Sequence, residues 1–183
     1  MKSFQLQQQL IAAIFAAIIA VVAQITIPLP IVPLTLQTFI VGLTATILGR
    51  KVGTWAIVIY LFLGAIGLPV FAGGSAGIGA LFGPTGGYLW GFIVCGLTIG
   101  SLIQFKPNHL LWAILANMLG FVLTLIIGSI WLKFATGMPI SQALMVGGVN
   151  FLLPDLIKAT CAGILGVIIS QRLPKKFLQL VQN

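Results

Sequence analysis

At 183 residues, with 60% hydrophobic and only 5% charged side chains, the chain has the length of one domain but not the surface of a soluble one; globular chains carry about 25% charged residues. Its net charge of +8 would suggest a nucleic-acid partner in a soluble protein. Here Lys2, Arg50, Lys51, Lys106, Arg172, Lys175 and Lys176 all fall in gaps or tails between apolar runs, as in the cytoplasmic loops of membrane proteins. No base-stacking or phosphate-binding pattern accompanies them, so nucleic acid is excluded and the lipid bilayer is the expected solvent.

The fold expected is an all-α integral membrane protein, a single domain over 1–183 with six transmembrane helices and an irregular Gly-rich outer loop. The first span is expected at about 6–27. Its apolar run passes twenty residues without a small-x-small cleavage site, so it reads as a retained span. Ala12, Ala16 and Ala20, with Ala13 and Ala17 beside them, form a smooth stripe that lets another helix approach closely. That helix is either one of the protein's own or one from a partner. Pro28, Pro30 and Pro33 then forbid helix and give a stiff extended connection.

Spans two and three are expected at about 34–49 and 52–67, separated by Arg50 and Lys51. Thr35, Gln37 and Thr38 stand at the start of span two as candidate ligand contacts, or as partners for one another. Between Gly67 and Gly91 nine glycines predict a compact irregular loop rather than a helix, because glycine tolerates positive φ and lets other groups approach the backbone. The loop reads as a lid over a small ligand, Phe71 and Tyr88 supplying flat apolar surface and one phenolic hydroxyl. Gly77, Gly79 and Gly83 do not make a dinucleotide site, since no strand precedes them and no acidic residue follows.

Span four is expected at about 85–104 and span five at 110–133, with the solitary His109 solvated in the gap between them. A short helix after Ser141 should be broken by Gly147, Gly148 and Asn150 before span six at about 151–171, which Arg172, Pro174 and a basic tail close. Cys95 and Cys161 sit in apolar spans without metal-ligand spacing and read as packing residues. No metal or other cofactor is expected.

Span six holds the chemistry. Asp155 is the single acidic residue of the chain, and Lys158 is a lysine set well inside an apolar run. Three residues of helix put both on one face. Each charge costs roughly 2.5 to 3.5 kcal/mol near the centre of a spanning helix, so the pair must face protein, water or a ligand. A purely structural pair is the simpler alternative. Asp155 is also expected in the first turns of its helix, where the dipole favours a carboxylate. Six spans with cytoplasmic termini obey the positive-inside rule and gather the Pro-rich loop, the Gly-rich loop and the start of span six on the outside. The residues thus describe an outward-facing pocket for a small ligand carrying both donors and acceptors. Without a Walker A sequence, the energy for uptake must come from another protein.

The segments GLPVFAGGSAGIGALFGPTGGYLWGF (67–92), VPLTLQTF (32–39) and PDLIK (154–158) make the chain similar to the BioY family, the biotin-specific substrate-binding (S) components of energy-coupling factor (ECF) transporters. The resemblance implies a multi-pass protein of a prokaryotic plasma membrane, not an enzyme. It implies biotin as ligand, with a membrane coupling subunit (EcfT-type) and two ABC ATPases (EcfA-type) as partners. On that basis Asp155 would accept ureido N–H groups and Lys158 would engage a polar oxygen. Phe71, Gly73, Gly74 and Tyr88 would form cover and wall, with Gln37 and Asn150 as further contacts. Ala12, Ala16 and Ala20 would meet the coupling subunit. Another vitamin, a self-sufficient proton-coupled carrier using Asp155, and an intramembrane enzyme are the competing readings.

Overall fold

The structure, a computed structural model, describes residues 2–182. It is all-helical apart from one two-residue β-ladder. α1 (Lys2–Val22) leads into β1 (Thr26–Ile27), which pairs antiparallel with β2 (Leu34–Thr35). The three prolines therefore lie in a hairpin, not in the single extended connection expected of them.

α2 (Gln37–Ala65) is helical hairpin rather than rod. Gly49, at φ 72° and ψ −170°, reverses the chain, a conformation that suits a residue without Cβ. The arms return side by side: a Cβ added to Gly53 would stand 3.1 Å from the Cα of Ala45. Spans two and three are thus the two arms, 37–48 and 50–65. The first arm is short, about 18 Å at 1.5 Å per residue, against a hydrocarbon core of ~30 Å. It leaves room above its start, and the site is built there.

The Gly-rich segment contains more helix than its composition suggested. A tight turn at Ala72–Gly74 is followed by α3 (Ile78–Phe82) before α4 begins (Gly86–Phe105). Trp90 and Trp131 donate their indole N–H groups to the carbonyls of Leu81 (3.1 Å) and Gly83 (2.9 Å), so the end of α3 is fixed from two neighbouring helices. α5 (Leu110–Thr136) is capped by His109, whose Nδ1 accepts from the Trp112 N–H at 3.3 Å.

The last span is also longer than expected. α6 (Ile140–Leu144) continues through a π turn (Met145–Val149) into α7 (Asn150–Arg172). Gly147 and Gly148 do not break it, because they are absorbed in the wider turn. Asp155 therefore stands deep in a continuous helical segment and not at its positive dipole end, which corrects the expectation.

The basic tail is a helix, α8 (Lys175–Gln182), with Val181 buried. It ties three helices together. Gln8 donates to the Leu180 carbonyl (2.7 Å), Gln182 to the Ile47 carbonyl (3.0 Å), and Gln104 to the Gln182 carbonyl (2.8 Å). This end of the bundle carries Arg50, Lys51, Lys106, Arg172, Lys175 and Lys176, while Lys133 sits at the other end, near the close of α5.

Among the described residues, five helices are long and apolar enough to cross a membrane, and dividing α2 at Gly49 gives six crossing segments. Large side chains such as Leu6, Leu10, Trp55, Phe62, Leu119 and Leu153 point outward, as they must where lipid is the solvent and every backbone group is satisfied within a helix. The alanine stripe turns inward. Ala12 and Ala16 are fully buried, Ala12 in a cluster with Ile47, Leu48, Val52 and Ala56 of α2, and Ala20 packs partly against the core. Of the three alanines expected to meet an external partner, Ala12 and Ala16 are thus packed against α2, while Ala20 stays half-buried. Ala13 and Ala17 are the exposed alanines of α1.

Candidate functional site

The space above the short first arm of α2 is closed by the β1–β2 hairpin on one side and by the segment between α2 and α4 on the other. Between them lies a cavity with ≈ 610 Å³ of atom-free space, its mouth included. Val32, Leu89, Phe92, Leu125 and Phe151 give it an apolar wall; Thr35, Gln37, Thr38, Ser75, Thr85, Asp155 and Lys158 give it polar atoms. An apolar hollow with a few convergent polar groups is the usual form of a small-molecule site.

Asp155 and Lys158 face one another across a turn of α7 and form an ion pair through Asp155 Oδ1, their side chains 5% and 12% exposed respectively. Pro154, inside the helix, removes one backbone donor immediately before Asp155. Lys158 Nζ also donates to Thr38 Oγ1 at 2.8 Å and to the Thr35 carbonyl at 3.0 Å, while Thr38 Oγ1 donates to Asp155 Oδ1 at 3.2 Å. The three ammonium protons are therefore all engaged. Asp155 Oδ1 is saturated, and Oδ2 receives no hydrogen bond from the described residues. The pair as built offers an incoming molecule a carboxylate acceptor, held in place by a lysine that is already occupied.

Tyr88 forms a wall. Its ring occupies the space a Cβ would take at Gly128 on α5, and its hydroxyl donates to the Gly147 carbonyl in the π turn at 2.7 Å. Phe71 closes the side, fully buried, its ring edge-on to Tyr60 (centroids 5.5 Å apart, planes at 84°) and in the space left by the absent side chain of Gly64. Gln37 donates from Nε2 to the Tyr60 hydroxyl at 2.6 Å and accepts from Thr35 Oγ1 at 3.2 Å.

Five of the residues expected from the sequence, Asp155, Lys158, Tyr88, Phe71 and Gln37, line this one cavity. Gly73, Gly74 and Asn150 do not. Gly73 and Gly74 have φ of 64° and 74° at the exposed tip of their turn, so their neighbours Ala72 and Ser75 reach inward instead. Asn150 is exposed at the start of α7. Sequence reasoning passed over Tyr60, whose signal was a lone phenol inside an apolar span, and Gln24, one turn beyond the first helix, which gave no signal.

The comparisons with known proteins agree on one family. The BioY family profile matches residues 1–175. This chain belongs to the BioY family. It is 43% identical over 173 residues to the protein named biotin transporter BioY2 of Lactococcus lactis subsp. cremoris (strain MG1363), covering 94% of this chain and 95% of that one. It is also 43% identical over 162 residues to the biotin transporter BioY of Thermotoga maritima, covering 88% and 95%. Among solved structures, the S-component for biotin from an ECF-type ABC transporter superposes with a TM-score of 0.90 at 25% identity, covering 100% of this chain and 99% of that one. A BioY chain is a membrane transport component, and the six crossing segments fit that architecture.

Proposed function

We propose that this BioY chain is the biotin-binding S component of an ECF-type ABC importer and captures the vitamin in the cavity beside α7. The observation that carries the reading is the buried Asp155–Lys158 pair opening on a cavity with an apolar wall and a few neutral polar groups, in a chain whose relatives are named biotin transporters. Asp155 Oδ2 is the acceptor for ureido N–H groups. Lys158 holds the carboxylate in place and meets a ligand oxygen when it gives up one of its present contacts. Phe71 and Tyr88 cover the bicyclic ring, and Gln37 adds a polar contact.

The chain acts as one six-helix domain in a prokaryotic plasma membrane and performs no covalent chemistry on its ligand. The basic end, which holds α8 and most of the exposed cations, faces the cytoplasm with both termini, in keeping with the positive-inside rule; the cavity then faces outward. Transport requires an EcfT-type coupling subunit and two EcfA-type ATPases. With Ala12 and Ala16 buried, the face of α1 that carries Ala13 and Ala17 is the smooth surface left for that subunit.

The test is equilibrium titration of the purified chain with biotin, following the fluorescence of Trp55, Trp90, Trp112 and Trp131. Saturable binding that riboflavin, thiamine and lipoate do not compete is expected. A folded protein that ignores biotin would overturn the assignment.

A further inference from the structure

The segment that covers the cavity, residues 69–77, is held at three points. Phe71 is seated against Tyr60 and Gly64, and the Gly77 N–H donates to the Gly64 carbonyl at 2.7 Å. Both anchors belong to the second arm of α2. The third comes from elsewhere: Gln24, in the turn after α1, spans the gap to the cover with a single side chain. Its Oε1 accepts from the Gly74 N–H at 3.0 Å. Its Nε2 donates to the Ala20 carbonyl at 3.0 Å, which fixes the amide on α1, and lies 3.3 Å and 3.4 Å from the carbonyls of Phe71 and Pro69.

These contacts grip the cover where it is easiest to move. Gly67, Gly73, Gly74 and Gly77 all have positive φ, and glycine-rich backbone has much conformational freedom to regain when it opens. The cover also carries cavity-lining atoms: Phe71, Ala72 and Ser75 all face the ligand space. Gln24 touches none of that space. Its bonds bear on the backbone on either side of Phe71 and so govern whether that side wall stays shut.

We propose that Gln24 is a positioning residue that latches the cover to α1 and sets the rate at which the cavity opens. The proposal rests on biotin occupying this cavity, but the latch itself has a readout that needs no biotin. Gln24 is exposed, so its replacement leaves the folded bundle intact. Gln24→Met keeps the shape without the hydrogen bonds, while Gln24→Ala removes both.

The experiment has two arms. In stopped-flow fluorescence, biotin association and dissociation should both quicken in Q24A and in Q24M, by roughly 3- to 10-fold, the change expected for losing one or two net hydrogen bonds of the closed state. The melting temperature of the ligand-free protein should fall by no more than the loss of one or two hydrogen bonds allows. In the second arm, Leu89→Cys, buried on the cavity wall, is labelled with a water-soluble maleimide in a Cys161→Ser background, Cys95 being buried. Labelling should accelerate by a similar factor in both latch variants. Wild-type rates in either arm would overturn the latch. So would a fast Q24A beside a normal Q24M, since side-chain bulk would then be what matters. If the wild type binds no biotin, the functional assignment fails and the labelling arm alone decides the latch.

Discussion

Two of the buried polar clusters in the bundle are built to opposite ends. Around Asp155 and Lys158, the ion pair and the Thr38 hydroxyl satisfy one carboxylate oxygen and leave the other without a hydrogen bond from the described residues, on a side chain that lines a cavity. Around Asn117 everything is sealed. Asn117 Nδ2 donates to Thr46 Oγ1 and to the Ala113 carbonyl, each at 2.9 Å, and Thr46 in turn donates to the Gly42 carbonyl at 2.8 Å. Asn117 Oδ1 has no partner among the described residues and lies in the space that a side chain at Gly42 would fill. The first cluster has an unspent acceptor on a residue that lines a cavity; the second has one against packed backbone. Intramembrane polarity therefore marks a ligand site only where a cavity reaches it, and elsewhere serves as an interhelical tie.

The sharpest way to break the comparison is to neutralise each cluster in turn. Asp155→Asn keeps the shape and removes the charge. The expected result is biotin affinity about 10- to 100-fold weaker, the cost of a charge-assisted hydrogen bond. Full affinity in this variant, measured by the same fluorescence titration, would remove Asp155 from the ligand's contacts. Lys158→Ala should act differently. It strands a carboxylate in apolar surroundings, a change that costs about 3 to 5 kcal/mol when a buried pair is broken. Its melting temperature should therefore fall further than that of Asp155→Asn, a difference visible by thermal unfolding in detergent.

Asn117→Ala is the matching test of the sealed cluster. Interhelical hydrogen bonds in membranes contribute about 0.6 to 2 kcal/mol, so melting should drop by an amount of that order. Biotin affinity should hold within about twofold, as expected of a site that shares no partner with the ligand. A larger loss of affinity would mean that the two clusters communicate, and the distinction between them would fail.

Much of this was legible from residue order. The spans announced themselves by apolar length, and Asp155 with Lys158 stood out because charge is costly there. Other features depended on three-dimensional context. Residues 12, 16 and 20 and residues 13 and 17 are equally smooth, and spacing alone cannot say which set faces α2; burial settles it for Ala12 and Ala16. Gly147 and Gly148 look like a break because isolated glycine weakens helix, yet a π turn accommodates them. The tail KKFLQLVQ looked like a charged end, and its apolar residues Phe177, Leu180 and Val181 become a helix face only when the bundle supplies a surface to cover. Gln24 acts through backbone carbonyls and amides that no sequence pattern encodes.

The smallest effect belongs to Tyr60, which stands between the two kinds of cluster: buried like Asn117, yet bonded to a residue that lines the cavity. Tyr60→Phe retains the ring that meets Phe71 edge-on, so the cover keeps its seat. It removes the acceptor that Gln37 Nε2 reaches at 2.6 Å, while Thr35 still donates to the Gln37 carbonyl. The freed N–H turns toward the cavity, where water can take it, so the stability cost stays within the ~0.5 to 1.5 kcal/mol of an ordinary hydrogen bond. Biotin should bind roughly threefold more weakly, because Gln37 must be reordered as the ligand enters. Its dissociation should lack the parallel rise in association rate expected of the Gln24 variants. A Tyr60→Phe protein that speeds both rates would instead place Tyr60 in the control of the cover.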